Sequence, residues 1–146
     1  MNNKYSIEKS SVINAEPKVI YTILTRLENW NQWTKSITSI SLLNTEKIEA
    51  GTRIKVIQPK LSPATWTITE IKENSSLVWE KKSVGLKMTA KHSIINDSHN
   101  VLVELSVIYE GFFARLAYKL TSSLTDRCMT MELNGHKTES EKRVLL

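Results

Sequence analysis

Hydrophobic and polar positions along the chain follow two different periods. From Tyr5 to Ile13 they alternate, with Tyr5, Ile7, Ser11 and Ile13 on one side and Ser6, Glu8 and Ser10 on the other, which predicts a first strand. Asn14-Ala15-Glu16-Pro17 ends it, and Pro17 suits the first turn of a helix, where its missing N–H costs nothing. Ile20, Ile23, Leu24 and Leu27 then recur at helical spacing, with Val19 widening the stripe, so a short amphipathic helix follows. Glu28 to Trp33 breaks that period. A second short helix there puts Trp30 and Trp33 on one face, as plugs at the end of a core.

From Ile37 onward the period is two. Ile37–Leu43, Thr52–Gln58, Ala64–Lys72, Leu77–Lys82, Leu86–Asn96 and Val101–Glu110 are six expected strands. Turn residues join them at Ala50-Gly51, Pro59 to Pro63, Glu73 to Ser76, Ser83-Val84-Gly85 and Asn96 to Asn100, and successive short turns imply antiparallel pairing. Ile54 and Val56, Trp66 and Ile68, Leu77 and Trp79, Met88, Ala90, His92 and Ile94, and Val103, Leu105, Val107 and Tyr109 fall on the apolar face. Lys81, Lys82, Lys87 and Lys91 are read as a solvated sheet face.

Gly111 to Glu141 returns to the helical period as one long helix. Phe112, Phe113, Leu116, Ala117, Leu120, Leu124, Cys128 and Met131 share one side of its wheel. The opposite side carries Ala114, Arg115, Tyr118, Lys119, Thr121, Thr125, Asp126, Met129 and Glu132 and is expected to be wet; His136 is also assigned to the wet side. The expected architecture is α+β: a curved seven-stranded antiparallel sheet wrapped around this helix, with two short helices after the first strand.

Composition narrows the class. The chain has 146 residues, 40% hydrophobic and 24% charged, with 4 Gly and 3 Pro, which fits one soluble domain over residues 1–146 with a single core. Its opening residues lack an apolar leader and no run reaches the roughly 18 apolar residues of a membrane span, so a cytoplasmic location without stable membrane insertion is expected. The net charge of +5 is spread over every segment, which argues against a nucleic-acid partner. Cys128 is alone and reads as a small buried hydrophobe.

The opening strand into Ile13-Asn14-Ala15-Glu16-Pro17, Val19-Ile20-Tyr21, Trp30 and Trp33, Gly51-Thr52, Thr67 to Ile71, Leu77-Val78-Trp79, Lys91-His92, Tyr109-Glu110-Gly111 and Gly135-His136-Lys137 to Glu141 together resemble the START-like (SRPBCC) superfamily. Within it the chain looks like the polyketide cyclase/dehydrase and lipid-transport branch. His136 departs from the leucine that relatives often carry there. The resemblance implies a helix-grip fold and an elongated apolar cavity between sheet and last helix, suited to a lipid, polyketide or aromatic compound.

No metal or cofactor site is expected. His92, His99 and His136 lie in three contexts without ligand spacing, the glycines form no phosphate loop, and no nucleophile elbow is present. The expected ligand-lining residues are Trp66, Trp79, Met88, His92, Tyr109, Phe113, Leu116, Leu120, Leu124, Arg127 and Met131. Arg127 is either an anion contact at the cavity mouth or a stem-packed surface arginine. His92 and Tyr109 are the candidates for acid–base chemistry. The alternative for His92 is a buried neutral imidazole bonded to a neighbour, and Glu70 is the one carboxylate that the pattern offers to orient it. Three readings of function stand: binding of a small hydrophobic molecule, a cyclase or dehydratase in the same cavity, or a protein-interaction module. The oligomeric state is left open.

Overall fold

The structure, a computed structural model, describes residues 3–97 and 99–144. Met1, Asn2, Ser98, Leu145 and Leu146, which include one residue of the turn expected before Val101, lie outside them. Strand β1 (Lys4–Val12) is followed by helix α1 (Pro17–Thr25) and a 3-10 turn (Leu27–Gln32). Strands β2 (Ser39–Leu42), β3 (Arg53–Ile57), β4 (Ala64–Lys72), β5 (Ser76–Ser83), β6 (Leu86–Asn96) and β7 (Val101–Glu110) then lead to helix α2 (Ala114–Val144). This is the helix-grip fold: a seven-stranded antiparallel sheet in the order β1-β7-β6-β5-β4-β3-β2, with α2 against its concave face.

The sheet is a meander from β2 to β7, and β1 closes it by pairing with β7 along its whole length, Lys4 opposite Glu110 and Val12 opposite Leu102. Because side chains alternate strictly along a strand, one register determines both faces. Ile54, Trp66, Ile68, Leu77, Trp79, Ala90, Val103 and Leu105 are buried on the concave side with Ile20, Leu24, Leu27 and Trp30 from the helical corner. A bulge between Ile68 and Glu70 interrupts the β4–β5 register. Glu70 therefore turns outward to Ser76 and Lys72 and is no partner for His92.

The rotation of α2 differs from the sequence expectation. Phe112, Phe113, Leu116, Leu120 and Met131 are exposed, Leu120 to 75% and Leu116 to 55%, while Ala114, Met129, Leu133, His136 and Ser140 are buried. Most of the face expected to be wet, through Ala114, Thr121, Thr125, Met129 and Glu132, is the one that meets the sheet, while its Arg115 and Lys119 stay exposed. Close contacts in the second half of the helix explain this. Gly135 lies against the Trp33 carbonyl so tightly that a Cβ would overlap the carbonyl oxygen. His136 Nε2–H donates to the Ile20 carbonyl at 3.0 Å and stacks on Trp33 with centroids 5.2 Å apart. Burial pushes the His136 imidazole below its ordinary pKa, so it sits there as a neutral donor. A 31-residue helix is one rigid rod, so anchoring its C-terminal half also sets which residues its N-terminal half turns inward.

At the other end, Gly111 takes a φ of +118° and packs against the Gly85 carbonyl, where a Cβ would come within 2.6 Å of the oxygen. The turn into α2 is thus pinned to the β5–β6 hairpin.

Candidate functional site

Between α2 and the concave sheet lies a cavity of about 160 Å³. Trp66 (β4), Trp79 (β5), Met88, Ala90 and His92 (β6) form its sheet wall, Trp30 closes one side, and Thr121, Thr125, Cys128, Met129 and Glu132 form the helix wall. The aromatic rings are packed in series. Trp66 and Trp79 lie 6.5 Å apart between centroids, Trp79 and Trp30 5.4 Å, and His92 meets Trp79 and Trp30 edge-on at 4.9 and 5.5 Å.

His92 is buried to 4% exposure between two acceptors. Its Nδ1 lies 3.1 Å from the Leu77 carbonyl and its Nε2 lies 2.9 Å from Glu132 Oε1. The carbonyl can only accept, so Nδ1 carries a proton. The Nε2–Oε1 contact ties the ring to the Glu132 carboxyl on the facing wall. Cys128, one turn before Glu132 on the same wall, has its thiol pKa raised by burial first and by Glu132 second, so it remains a protonated thiol at neutral pH.

Tyr109 is fully buried behind the helix wall and does not itself line the cavity. Its hydroxyl is 2.9 Å from both Thr121 Oγ1 and Thr125 Oγ1, and Thr121 Oγ1 donates to the Ala117 carbonyl at 2.7 Å. The chain of donors runs Thr125 to Tyr109 to Thr121 to Ala117, which leaves the phenol proton engaged.

Of the residues expected to line the cavity, Trp66, Trp79, Met88 and His92 do so. Leu116, Leu120, Met131 and Arg127 are exposed on the outer side of α2, Leu124 is half-buried away from the cavity, and Phe113 packs over Gly85 at the helix start. Helix rotation is the common cause. The residues that sequence reasoning missed, Thr121, Thr125, Met129 and Glu132, all came from the face assigned to water. Lys81 was missed too: it follows Trp79 on the concave side, not the solvated face, and its Nζ lies 5.2 Å over the Trp66 ring. The alternation that places Trp79 inward carried the signal for Lys81.

Residues 4–141 match the family described as polyketide cyclase / dehydrase and lipid transport. The chain belongs to this family. Among solved structures, the family fold is shared with the Zhui aromatase/cyclase from Streptomyces sp. R1128, at a TM-score of 0.78 and 12% identity over 97% of this chain and 96% of that one. It is similar also to the ginseng major latex-like protein 151 from Panax ginseng, at 0.68 and 15% identity over 92% and 97%. The di-domain ARO/CYC StfQ from the steffimycin biosynthetic pathway aligns at 0.76 and 11% identity over 98% of this chain, which spans about half (52%) of that longer one. At such identities the likeness is one of fold. None of the curated proteins matches the chain in sequence. No helix among the described residues is long and apolar enough to cross a membrane.

Proposed function

We propose that this family member binds a small hydrophobic molecule, one or two rings in size, in the cavity between the concave sheet and α2. The observation that carries this reading is the space itself: about 160 Å³ bounded by Trp30, Trp66, Trp79 and Met88. Apolar cavities on the order of 150 Å³ admit a single-ring guest, and large aromatic and thioether walls adapt to a flat apolar one. The family description and the names of its structural neighbours are in keeping with such a ligand. Titration of the intrinsic tryptophan fluorescence with acetophenone and acetonaphthone tests it. Saturable quenching that Ala90→Phe abolishes and Leu120→Trp leaves intact is the expected result. An absence of saturable binding by either ketone, or binding that ignores Ala90→Phe, overturns it.

A second reading, proton-transfer chemistry on a ligand carbonyl, is favoured by one observation, the contact of His92 with Glu132 at the cavity wall. In this reading His92 and Glu132 act together as general acid and base, giving a proton to a carbonyl oxygen or exchanging one with the carbon beside it, as in enolisation, cyclisation or dehydration. Tyr109 would act only through Thr121 and Thr125. Exchange of deuterium into the methyl group of bound acetonaphthone, lost in His92→Gln and Glu132→Gln, is the measurement; exchange at the uncatalysed rate in the unaltered protein rejects it.

A further inference from the structure

The concave face of β5 and β6 is built in three successive rungs, Leu77 opposite His92, Trp79 opposite Ala90 and Lys81 opposite Met88. His92 lies four positions beyond Met88, so the first and third rungs stand about 13 Å apart along the sheet. The two ends of the cavity differ in charge. At the His92 end the cation-forming group already has its carboxylate, Glu132. At the Lys81 end, among the described residues, no carboxylate lies within ion-pair distance of the ammonium. Of the neighbouring lysines, Lys82 and Lys87 both pair with Glu80 at 3.4 Å on the opposite face of the sheet, and Lys91, which also borders the cavity, is exposed rather than half-buried. Lys81 is half-buried, lines the cavity and rests on the Trp66 ring.

From this arrangement we infer that the ligand is an acid: a small ring compound whose carboxylate pairs with Lys81 while its ring lies against Trp66 and Trp79. The inference rests on the binding reading above and names the chemical class of its ligand. A cation drawn partly out of water and held on an aromatic face, with no anion of its own, recovers its lost hydration by pairing with an anion that enters the cavity. Burial pulls the Lys81 ammonium below the ordinary lysine range, as expected for a desolvated cation without a partner. A ligand carboxylate reverses that shift. The carboxylate belongs at this end of the cavity, because Glu132 would repel it at the other.

Matched pairs of probes separate the inference from the reading beneath it. Benzoate and acetophenone, and naphthoate and acetonaphthone, differ in little but charge, and their affinities are measured by calorimetry on the unaltered protein, Lys81→Met, Lys81→Arg and Lys82→Met. Expected is a preference of at least about tenfold for each acid over its ketone. That preference collapses in Lys81→Met, largely returns in Lys81→Arg and persists in Lys82→Met. If the ketones bind but the acids have no advantage, or if the advantage survives Lys81→Met, the assignment to Lys81 is overturned while the cavity reading stands. If neither ketones nor acids bind, the cavity reading fails and the inference with it. An advantage lost equally in Lys82→Met marks general attraction to a basic surface and also overturns it.

Discussion

Glu132 Oε1 on the last helix lies 2.9 Å from His92 Nε2 on the sixth strand, joining the two walls of the cavity across 40 residues of sequence. Each member is largely hidden from water, with side chains 5% and 16% exposed, so the Glu132 carboxyl depends on His92 for its hydrogen bond. Replacing His92 by Leu strands the Glu132 carboxyl. A loss of about 3 kcal/mol in urea unfolding is expected, with less, about 1–2 kcal/mol, for Glu132→Gln, which keeps a hydrogen-bonding group. A double-mutant cycle measures the coupling directly, and a value near zero contradicts the contact.

The Tyr109 hydroxyl on β7 bonds Thr121 and Thr125 of α2. Tyr109→Phe removes the middle link of the Thr125–Tyr109–Thr121 chain and should lower stability by about 1 kcal/mol in chemical denaturation. Acetonaphthone affinity should stay within about twofold, because the phenol does not reach the cavity.

The rotation of α2 is open to a simple comparison. Leu116→Ser and Leu120→Ser alter exposed positions and should change unfolding free energy by no more than about 0.5 kcal/mol. Met129→Ala and Leu133→Ala remove buried side chains on the opposite face and should cost about 2–4 kcal/mol. The reverse order in denaturant unfolding would mean that the apolar stripe faces the sheet after all.

Gly135 sets the distance between α2 and the corner at Trp33. An added Cβ overlaps backbone there, which cannot swing aside as a side-chain tip can. Gly135→Ala should therefore destabilise by about 2 kcal/mol or more, although alanine is the better helix former by nearly 1 kcal/mol. A thermal melt that rises in this variant would refute the close approach.

His136 makes stability depend on pH with a definite sign. Its folded pKa is lowered by burial, so the unfolded chain, with an ordinary imidazole pKa near 6.5, binds the proton more readily. The stabilisation is complete above that value and is lost as the pH falls below it toward the folded pKa. His136→Gln keeps an N–H positioned for the Ile20 carbonyl but cannot titrate. Urea midpoints of the parent should fall between pH 7 and pH 5 more steeply than those of the variant; equal slopes would assign the dependence to other groups.

Much of the fold was legible along the chain. The bounds expected for β4, β6 and β7 coincide with those observed, and the other strands differ by one or two residues at their ends. Pro17 opens α1, and Trp30 and Trp33 do come together in the corner, with ring centroids 5.1 Å apart. The site was legible only on its sheet side, through Trp66, Trp79, Met88 and His92. The helix side was misread because the wheel of α2 carries two plausible stripes. One is made of large apolar residues, Leu116, Leu120 and Met131, and the other of smaller or polar ones that satisfy one another or the sheet, among them Thr121, Thr125, Glu132 and His136. A hydrophobicity pattern favours the first stripe and cannot see hydrogen bonds that close only in three dimensions.

The sequence by itself determined the order of elements and the inward-facing Trp66, Trp79, Met88 and His92 of the central strands, because alternation along a strand is a consequence of covalent geometry; it missed Lys81 and the bulge that turns Glu70 outward. Only the tertiary structure decided the rotation of α2 and, with it, which groups meet in the cavity. That rotation depends on contacts between distant parts of the chain, Gly135 against Trp33, His136 to Ile20 and Glu132 to His92. Such contacts are matters of shape and hydrogen-bond geometry between separate elements, and no period within one element encodes them.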